Sequence, residues 1–422
     1  MPELGTPRRH ASSELALLLT LAAVQFTHIV DFMIMMPLGP QLMRILEIGP
    51  RQFSILISSY TFAAAASGFV AAFWIDHFDH KRVLLVLYGG FIVATALCGL
   101  APNYPLLLAA RIVAGAFGGV IGGLVLAIVA DLVPFARRAT ATGIVATAFS
   151  FAAVAGLPAG LWIAAHSTWR VPFLALAALS VIVAIAASRL LPPITGHLAH
   201  AVRRQPVAQL RAIFGVRNHL RAFAFTVVLM FAGFTVIPFI APYNVANVGL
   251  AEVDLPLMYF AGGLATLVTS PLIGRLADRY GKKRVFGIVG VASIAPILIT
   301  THLRPVPLAV VVACAVLFFV FVTGRFGPGM ALISGSAEPR LRGSFMSFNA
   351  SIQQLGAGLA ALTAGLIIGQ APDGKLTHYG IVGWIAAIST IAAIWLASRI
   401  RIVDVGVRTG GAVDVAPPGA NG

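Results

Sequence analysis

The sequence predicts an all-α membrane protein, with twelve transmembrane helices arranged as two pseudo-symmetric six-helix halves. Three observations lead there. Of 422 residues, 59% are hydrophobic and only 10% charged, with a mean hydropathy of +0.93. Soluble domains carry about a quarter charged residues, so the bilayer must be the solvent for most of this chain. Apolar runs of about 20 residues, the length that spans a hydrocarbon core, recur twelve times. A stretch of the first half also reappears 202 residues later.

The runs are 15–38, 54–74, 83–101, 105–131, 140–164 and 170–191, then 219–245, 255–275, 285–302, 306–333, 343–369 and 378–400. The first contains Asp31, lacks a small-residue cleavage site and is followed by similar runs, so it reads as a span and not as a cleaved signal. The organisation is a tail over 1–14, one half over 15–191, a polar loop over 192–218, the second half over 219–401 and a tail over 402–422. That last tail, ending in VDVGVRTGGAVDVAPPGANG from residue 403 on, is Gly-, Ala- and Pro-rich and is expected to be disordered. With both termini cytoplasmic, 22 of the 29 Lys and Arg fall inside, 5 outside and 2 within the membrane. The positive-inside rule therefore places both tails and the central loop in the cytoplasm of a cell with the protein in its plasma or inner membrane.

The net charge of +15 is spread between apolar runs, not gathered in one aromatic-bearing patch, which argues for contact with lipid and against nucleic acid. Cys98 and Cys314 sit in apolar runs and read as small core residues. His197 and His200 in the central loop have no further ligands to complete a metal site. No membrane His-Glu-x-x-His, nucleophile triad or cofactor loop is present, so the chain is expected not to be an enzyme and to need no cofactor beyond a proton gradient.

Two loops carry the repeat. Asp76-His-Phe-Asp-His-Lys-Arg-Val83 aligns with Asp278-Arg-Tyr-Gly-Lys-Lys-Arg-Val285, and at the same offset Pro40 matches Pro242. The end of helix 4 (Asp131, Arg137, Arg138) likewise reads like the end of helix 10 (Glu338, Arg340, Arg342). GRLADRYGKKR, Gly274 to Arg284, resembles the loop signature of the major facilitator superfamily, which recurs between helices 2 and 3 and between helices 8 and 9. The resemblance covers the chain from helix 1 to helix 12 and implies two halves rocking about a midplane site. The first copy departs from it: Ala72 replaces the leading Gly, His77 the Arg and Asp79 the inner Gly. Charges in such loops suit ion pairs that hold one gating state. The candidates are Asp76, Lys81, Arg82, Asp131, Arg137 and Arg138 in the first half, with Asp76 placed to pair with Arg137 or Arg138. In the second half they are Gly274, Asp278, Arg279, Gly281, Lys283 and Arg284. Simple topology charges are the alternative.

Asp31 is the one acidic residue outside tails, loops and helix ends, and an intramembrane charge costs roughly 2.5–3.5 kcal/mol on insertion scales. Two arginines, Arg111 on helix 4 and Arg325 on helix 10, also lie at membrane depth. Helix 1 runs outward and helix 4 inward, which puts Asp31 and Arg111 in the same outer half-bilayer, with Arg325 deeper. Gln25, His28 and Asp31 follow at i, i+3 and i+6 on one helix face. An acid that a nearby Arg and burial pull in opposite directions suits loading and releasing a proton; a buried pair that only fixes packing is the alternative. His28 reads either as a relay or as a simple hydrogen-bonding neighbour.

Two more stretches resemble the antiporter branch of the superfamily, the drug:proton and sugar-efflux-like (arabinose efflux permease-like) transporters. They are AARIVAGAFGG, Ala109 to Gly119, and AVAGLPAG, Ala153 to Gly160, with Gly156 and Gly160 allowing close helix approach and Pro158 bending helix 5. The family lines its cavity with helices 1, 4, 7 and 10. The resemblance therefore implies a substrate site from Gln25, Phe26, Met33, Phe234, Pro238, Phe326 and Arg325. On helix 11, Asn349 and Gln353 stand four apart, suited to a wet cavity or to a bond with another helix. The expectation is a monomeric, proton-coupled exporter of a small amphipathic drug, sugar or metabolite. An uptake symporter or uniporter for a small, possibly anionic solute is the alternative.

Overall fold

The computed structural model describes residues 7–196, 206–338 and 341–403. His197, His200 and the tail beyond 403 lie outside them. Among the described residues twelve helices are long and apolar enough to cross a membrane. We label them α1 Glu14–Ile34, α2 Pro50–Trp74, α3 His80–Leu100, α4 Tyr104–Leu132, α5 Thr140–His166 and α6 Arg170–Leu190. The second half holds α7 Arg217–Val248, α8 Glu252–Tyr280, α9 Lys282–Thr301, α10 Leu308–Gly335, α11 Arg342–Ile367 and α12 Tyr379–Arg399. The stretch read from sequence as a polar loop also holds a short helix, Pro206–Phe214. Leu210, Ile213 and Phe214 recur on one side of it and pack on the second half, the spacing of an amphipathic helix.

Local chemistry sets the helix ends. Pro50 and Pro105 sit in the first turns of α2 and α4, where a missing N–H removes no helical bond. Asn103 caps α4 by accepting from the Leu106 N–H at 3.2 Å. Proline also explains the irregular spans, because its ring and missing N–H disrupt the bond four residues back. Helix α1 stops at Ile34, and a short helix, Gly39–Ile45, restarts the chain with Pro40 in its first turn. Its counterpart α7 loosens after Phe234 around Pro238 and Pro242. Helix α5 opens into a wide turn at Ala152–Gly156, just before Pro158. Gly39 rests on both breaks: a Cβ there would stand 2.7 Å from Phe53 and from Pro242.

Apolar packing divides the molecule by level. On the side away from the termini, one core cluster draws on both halves, including Ile34, Phe53, Leu161, Phe239, Ala241 and Ala361. On the terminal side the core splits. Leu18, Leu87 and Ile128 belong to a first-half cluster, and Phe225, Phe286 and Leu332 to a second-half cluster. Helices α2 and α11 bridge the halves along their length, from Gly365 against Ser54 to Phe348 against Phe69, with ring centroids 5.3 Å apart. Helix α8 meets α5 at its wide turn, where a Cβ on Gly263 would lie 2.6 Å from the Ala153 carbonyl oxygen. The far side is further closed by a forked pair between Arg44 and Glu252, whose second bond is 3.2 Å. A two-rung hairpin, Gly369 opposite Thr377 and Gln370 opposite Leu376, is tied to α7 by Asn247. The largest core is thus shared at the far side, while at the terminal side each half has its own, joined through Phe69 and Phe73 of α2 against Phe348 of α11.

Candidate functional site

Asp31 and Arg111 meet. Both are essentially fully buried, and Arg111 Nη1 donates to Asp31 Oδ2 at 2.9 Å. The same nitrogen also reaches the Asp31 carbonyl oxygen at 3.4 Å, while Thr95 of α3 donates to Asp31 Oδ1 at 3.1 Å. The guanidinium carbon stands 4.3 Å from the centre of the Tyr60 ring on α2, within cation–π range. Four helices therefore meet at one carboxylate–guanidinium pair. Such a pair survives burial only because hydrogen bonds replace the lost water.

The glycines that follow Arg111 explain how the helices come so close. A Cβ on Gly115 would collide with the Tyr60 carbonyl, and one on Gly119 with the Ala64 backbone. At Gly118 it would lie 2.6 Å from Tyr60 Oη and 3.1 Å from His28 Nε2. The stretch AARIVAGAFGG thus puts an arginine beside the acid and strips the next two turns of side chains. Helix 5 uses glycine in the same way on the opposite face of α1. Side chains at Gly156 and Gly160 would strike Val30 and Ile34, and Phe26 lies 3.0 Å from the Gly156 position.

The two faces of α1 therefore part company. Gln25, His28 and Asp31 face α4, whereas Phe26 and Met33 pack with Ile29, Val30 and Ala152 inside the first half, Phe26 against Phe151 at 6.4 Å. The expected single cavity is not assembled in this conformation. Phe234 faces Phe32 across the halves at 6.1 Å, Gln353 is partly exposed on α11, and Pro238 is buried in the break of α7. Asn349 is buried and accepts from Thr226 Oγ1 at 2.6 Å, the helix-bonding alternative of the two read from sequence. Arg325 corrects its sequence assignment most clearly. It is fully buried, with Nη1 donating to Ser293 at 3.1 Å and Thr390 at 2.8 Å and Nη2 donating to the Ala232 carbonyl. Its partners on α9 and α12 draw it into the second half and away from the space between the halves.

At the terminal side the two related loops differ. Gly281 turns at φ +95°, a conformation that favours glycine. Asp79, at the matching position, has φ −58° and caps α3 instead, accepting from the Lys81 N–H at 3.0 Å and from the Ile194 N–H at 2.9 Å. Arg82 stands 3.7 Å from the same carboxylate. Asp131 pairs with His80 at 2.7 Å. Arg137 bonds Glu14 at 2.9 Å, and Arg138 donates to the Ala130 carbonyl at 2.6 Å. The side chain of Asp76 lies outside the described part, so its expected pairing does too. In the second loop Lys283 donates to the Ser398 carbonyl at 3.1 Å and Arg279 stands over Tyr280 at 5.3 Å, while Asp278 and Arg284 are exposed and a Cβ on Gly274 would meet open space.

Thr95, Tyr60 and His80 are the residues sequence reading passed over. The first two carried a faint signal, being polar atoms inside apolar runs. His80 stands where the second copy has Lys282, and Asp79, read only as a departure from the repeat, proves to be a cap.

The family model described as Major Facilitator Superfamily matches residues 21–243 and 222–412. An MFS-type transporter of Bacillus subtilis (strain 168), YceJ, is 25% identical over 384 residues, covering 90% of this chain and 94% of that one. A probable sugar efflux transporter of Helicobacter acinonychis (strain Sheeba) is 27% identical over 238 residues, covering 56% of this chain and 59% of that protein. Among solved structures, a D-xylose–proton symporter superposes with a TM-score of 0.72 at 15% identity, over 92% of this chain and 97% of the other. At that identity the likeness concerns the fold. Twelve spans, the repeated loop and a family match over both halves together show that this chain is an integral membrane transporter, not an enzyme, and belongs to the major facilitator superfamily.

Proposed function

We propose that the chain is a proton-coupled exporter of a small amphipathic molecule (a drug, sugar or metabolite), with its terminal side in the cytoplasm. The observation that carries the reading is the buried Asp31–Arg111 pair. Protonating Asp31 removes one charge of a pair that is stable only as a pair, so proton binding changes the interactions that join α1 to α4. A joint core at the far side and divided cores at the terminal side fit one of the two states that alternating access requires. The glycine-bearing wide turn of α5 and the name of the Helicobacter relative favour export. The uptake alternative has the membrane arginines hold an anionic solute, and here Arg111 is occupied by Asp31 and Arg325 within the second half.

The test is transport in everted vesicles of wild type and Asp31→Asn, with ethidium, a pentose and a small carboxylate as probes. Gradient-driven accumulation of a probe is expected in wild type and should fall by about a hundredfold in Asp31→Asn, within the range of lost proton-transfer groups. Full-rate, gradient-dependent transport in the variant removes Asp31 from coupling. Movement only in the uptake direction reverses the assignment.

A further inference from the structure

Along α4, Arg111, Gly115, Gly118 and Gly122 fall on one face, and along α1 the matching face carries Asp31, His28 and Gln25. The helices run in opposite directions, so the pairs form in order: Asp31 with Arg111, His28 at Gly118, and Gln25 at Gly122, whose Cβ position lies 3.5 Å from Gln25 Nε2. The glycines let Tyr60, His28 and Gln25 lie against the α4 backbone, so the seam between the two helices is polar. Tyr60 Oη, from a fully buried residue, points at Gly118, and neither it nor either His28 ring nitrogen has a hydrogen-bond partner in the protein. Gln25 Oε1 and Arg111 Nε are buried and unpartnered as well. Buried polar groups are normally satisfied, and this series has its unsatisfied atoms in a row leading from the ion pair toward the terminal side.

We propose that this row of unpartnered polar atoms is a hydrated proton path joining Asp31 to the terminal side, with His28 as the relay and Tyr60 and Gln25 as the groups that position its water. Tyr60 Oη and both His28 ring nitrogens are buried without a partner in the protein, the role that bridging water fills. A proton arriving past Gln25 adds to one ring nitrogen of His28, and the imidazolium then releases a proton to the Asp31 carboxylate one turn away, returning to neutral imidazole. Access from the far side is closed in this conformation by the shared apolar core around Ile34, Met35 and Phe53. The terminal side is then the route by which Asp31 equilibrates with water. This inference rests on the proposed coupling role of Asp31 and adds the route by which that residue is served.

The experiment needs no substrate. The purified full-length protein in lipid nanodiscs is taken through a rapid drop in pH, and the infrared C=O band of the protonated Asp31 carboxyl, identified by its absence in Asp31→Asn, is followed in time. Tyr60→Phe keeps the ring under Arg111 and removes only Oη. It and His28→Ala are each expected to slow the band's appearance by at least about tenfold without changing its final amplitude. Gly118→Ala, whose methyl presses on Tyr60 Oη and the His28 ring, should do the same if it folds; the other two variants decide the matter if it does not. Rates within about twofold of wild type in both Tyr60→Phe and His28→Ala overturn the path. An altered amplitude at an unchanged rate also overturns it, since that marks a structural effect on the pair. If no band is lost in Asp31→Asn, the coupling role of Asp31 itself fails, and that outcome is separate from failure of the path.

Discussion

Each half buries one arginine, and the two are held in different ways. Arg111 faces a carboxylate, so its charge and that of Asp31 are stable only together. Arg325 faces two hydroxyls and a carbonyl, all neutral. Moreover, Ser293 and Thr390 already donate to their own helices, to Gly290 at 2.7 Å and Ala386 at 2.8 Å, and offer Arg325 only their lone pairs. The first arrangement has a protonation state to change. The second has none, and acts as a fixed clamp between α7, α9, α10 and α12. The difference teaches that a membrane-depth charge is a candidate for coupling when its partner can titrate, and a candidate for architecture when it cannot.

The sharpest way to break this contrast is to remove each arginine in turn. Arg111→Met leaves Asp31 buried without its counter-charge and is expected to destabilise by about 3–5 kcal/mol, measured by thermal unfolding in detergent. Asp31→Asn in the same background should recover most of that loss. Arg325→Met strands no charge and should cost less, about 1.5–3 kcal/mol, the scale of a hydrogen bond to a charged group. Equal losses from the two substitutions would dissolve the distinction. The smallest effect belongs to the two loops. Gly281→Ala places a side chain at φ +95° and should cost about 1 kcal/mol. Asp79→Gly should instead cost its caps on Lys81 and Ile194, also about 1 kcal/mol, and Asp79→Asn should retain part of it.

The loops also show how far a repeat can be trusted. Matching Asp76–Val83 with Asp278–Val285 correctly located two turns at one side of the membrane. Substituting Asp79 for the glycine changed what the turn does, from a left-handed bend to a side-chain cap. Similarly, Pro40 and Pro242, matched at the repeat offset, both lie where α1 and α7 break, since a missing N–H acts locally whatever surrounds it.

What the sequence determined by itself was therefore the local and the one-dimensional: span number, repeat, helix breaks, and the pairing of Asp31 with Arg111. Length and hydropathy fix spans because a bilayer has one thickness, and charge at depth is rare enough to count. Only the tertiary structure decided which face of α1 meets which neighbour. Phe26 and Met33 sit in the same helix as Asp31 and at similar depth, yet they pack toward α5 and not toward the space between the halves. Arg325 turned toward hydroxyls on α9 and α12 that no sequence spacing connects to it. Direction around a helix axis is set by packing against elements far away in the chain, and the glycines that made room for His28 and Tyr60 have no side chains to announce it.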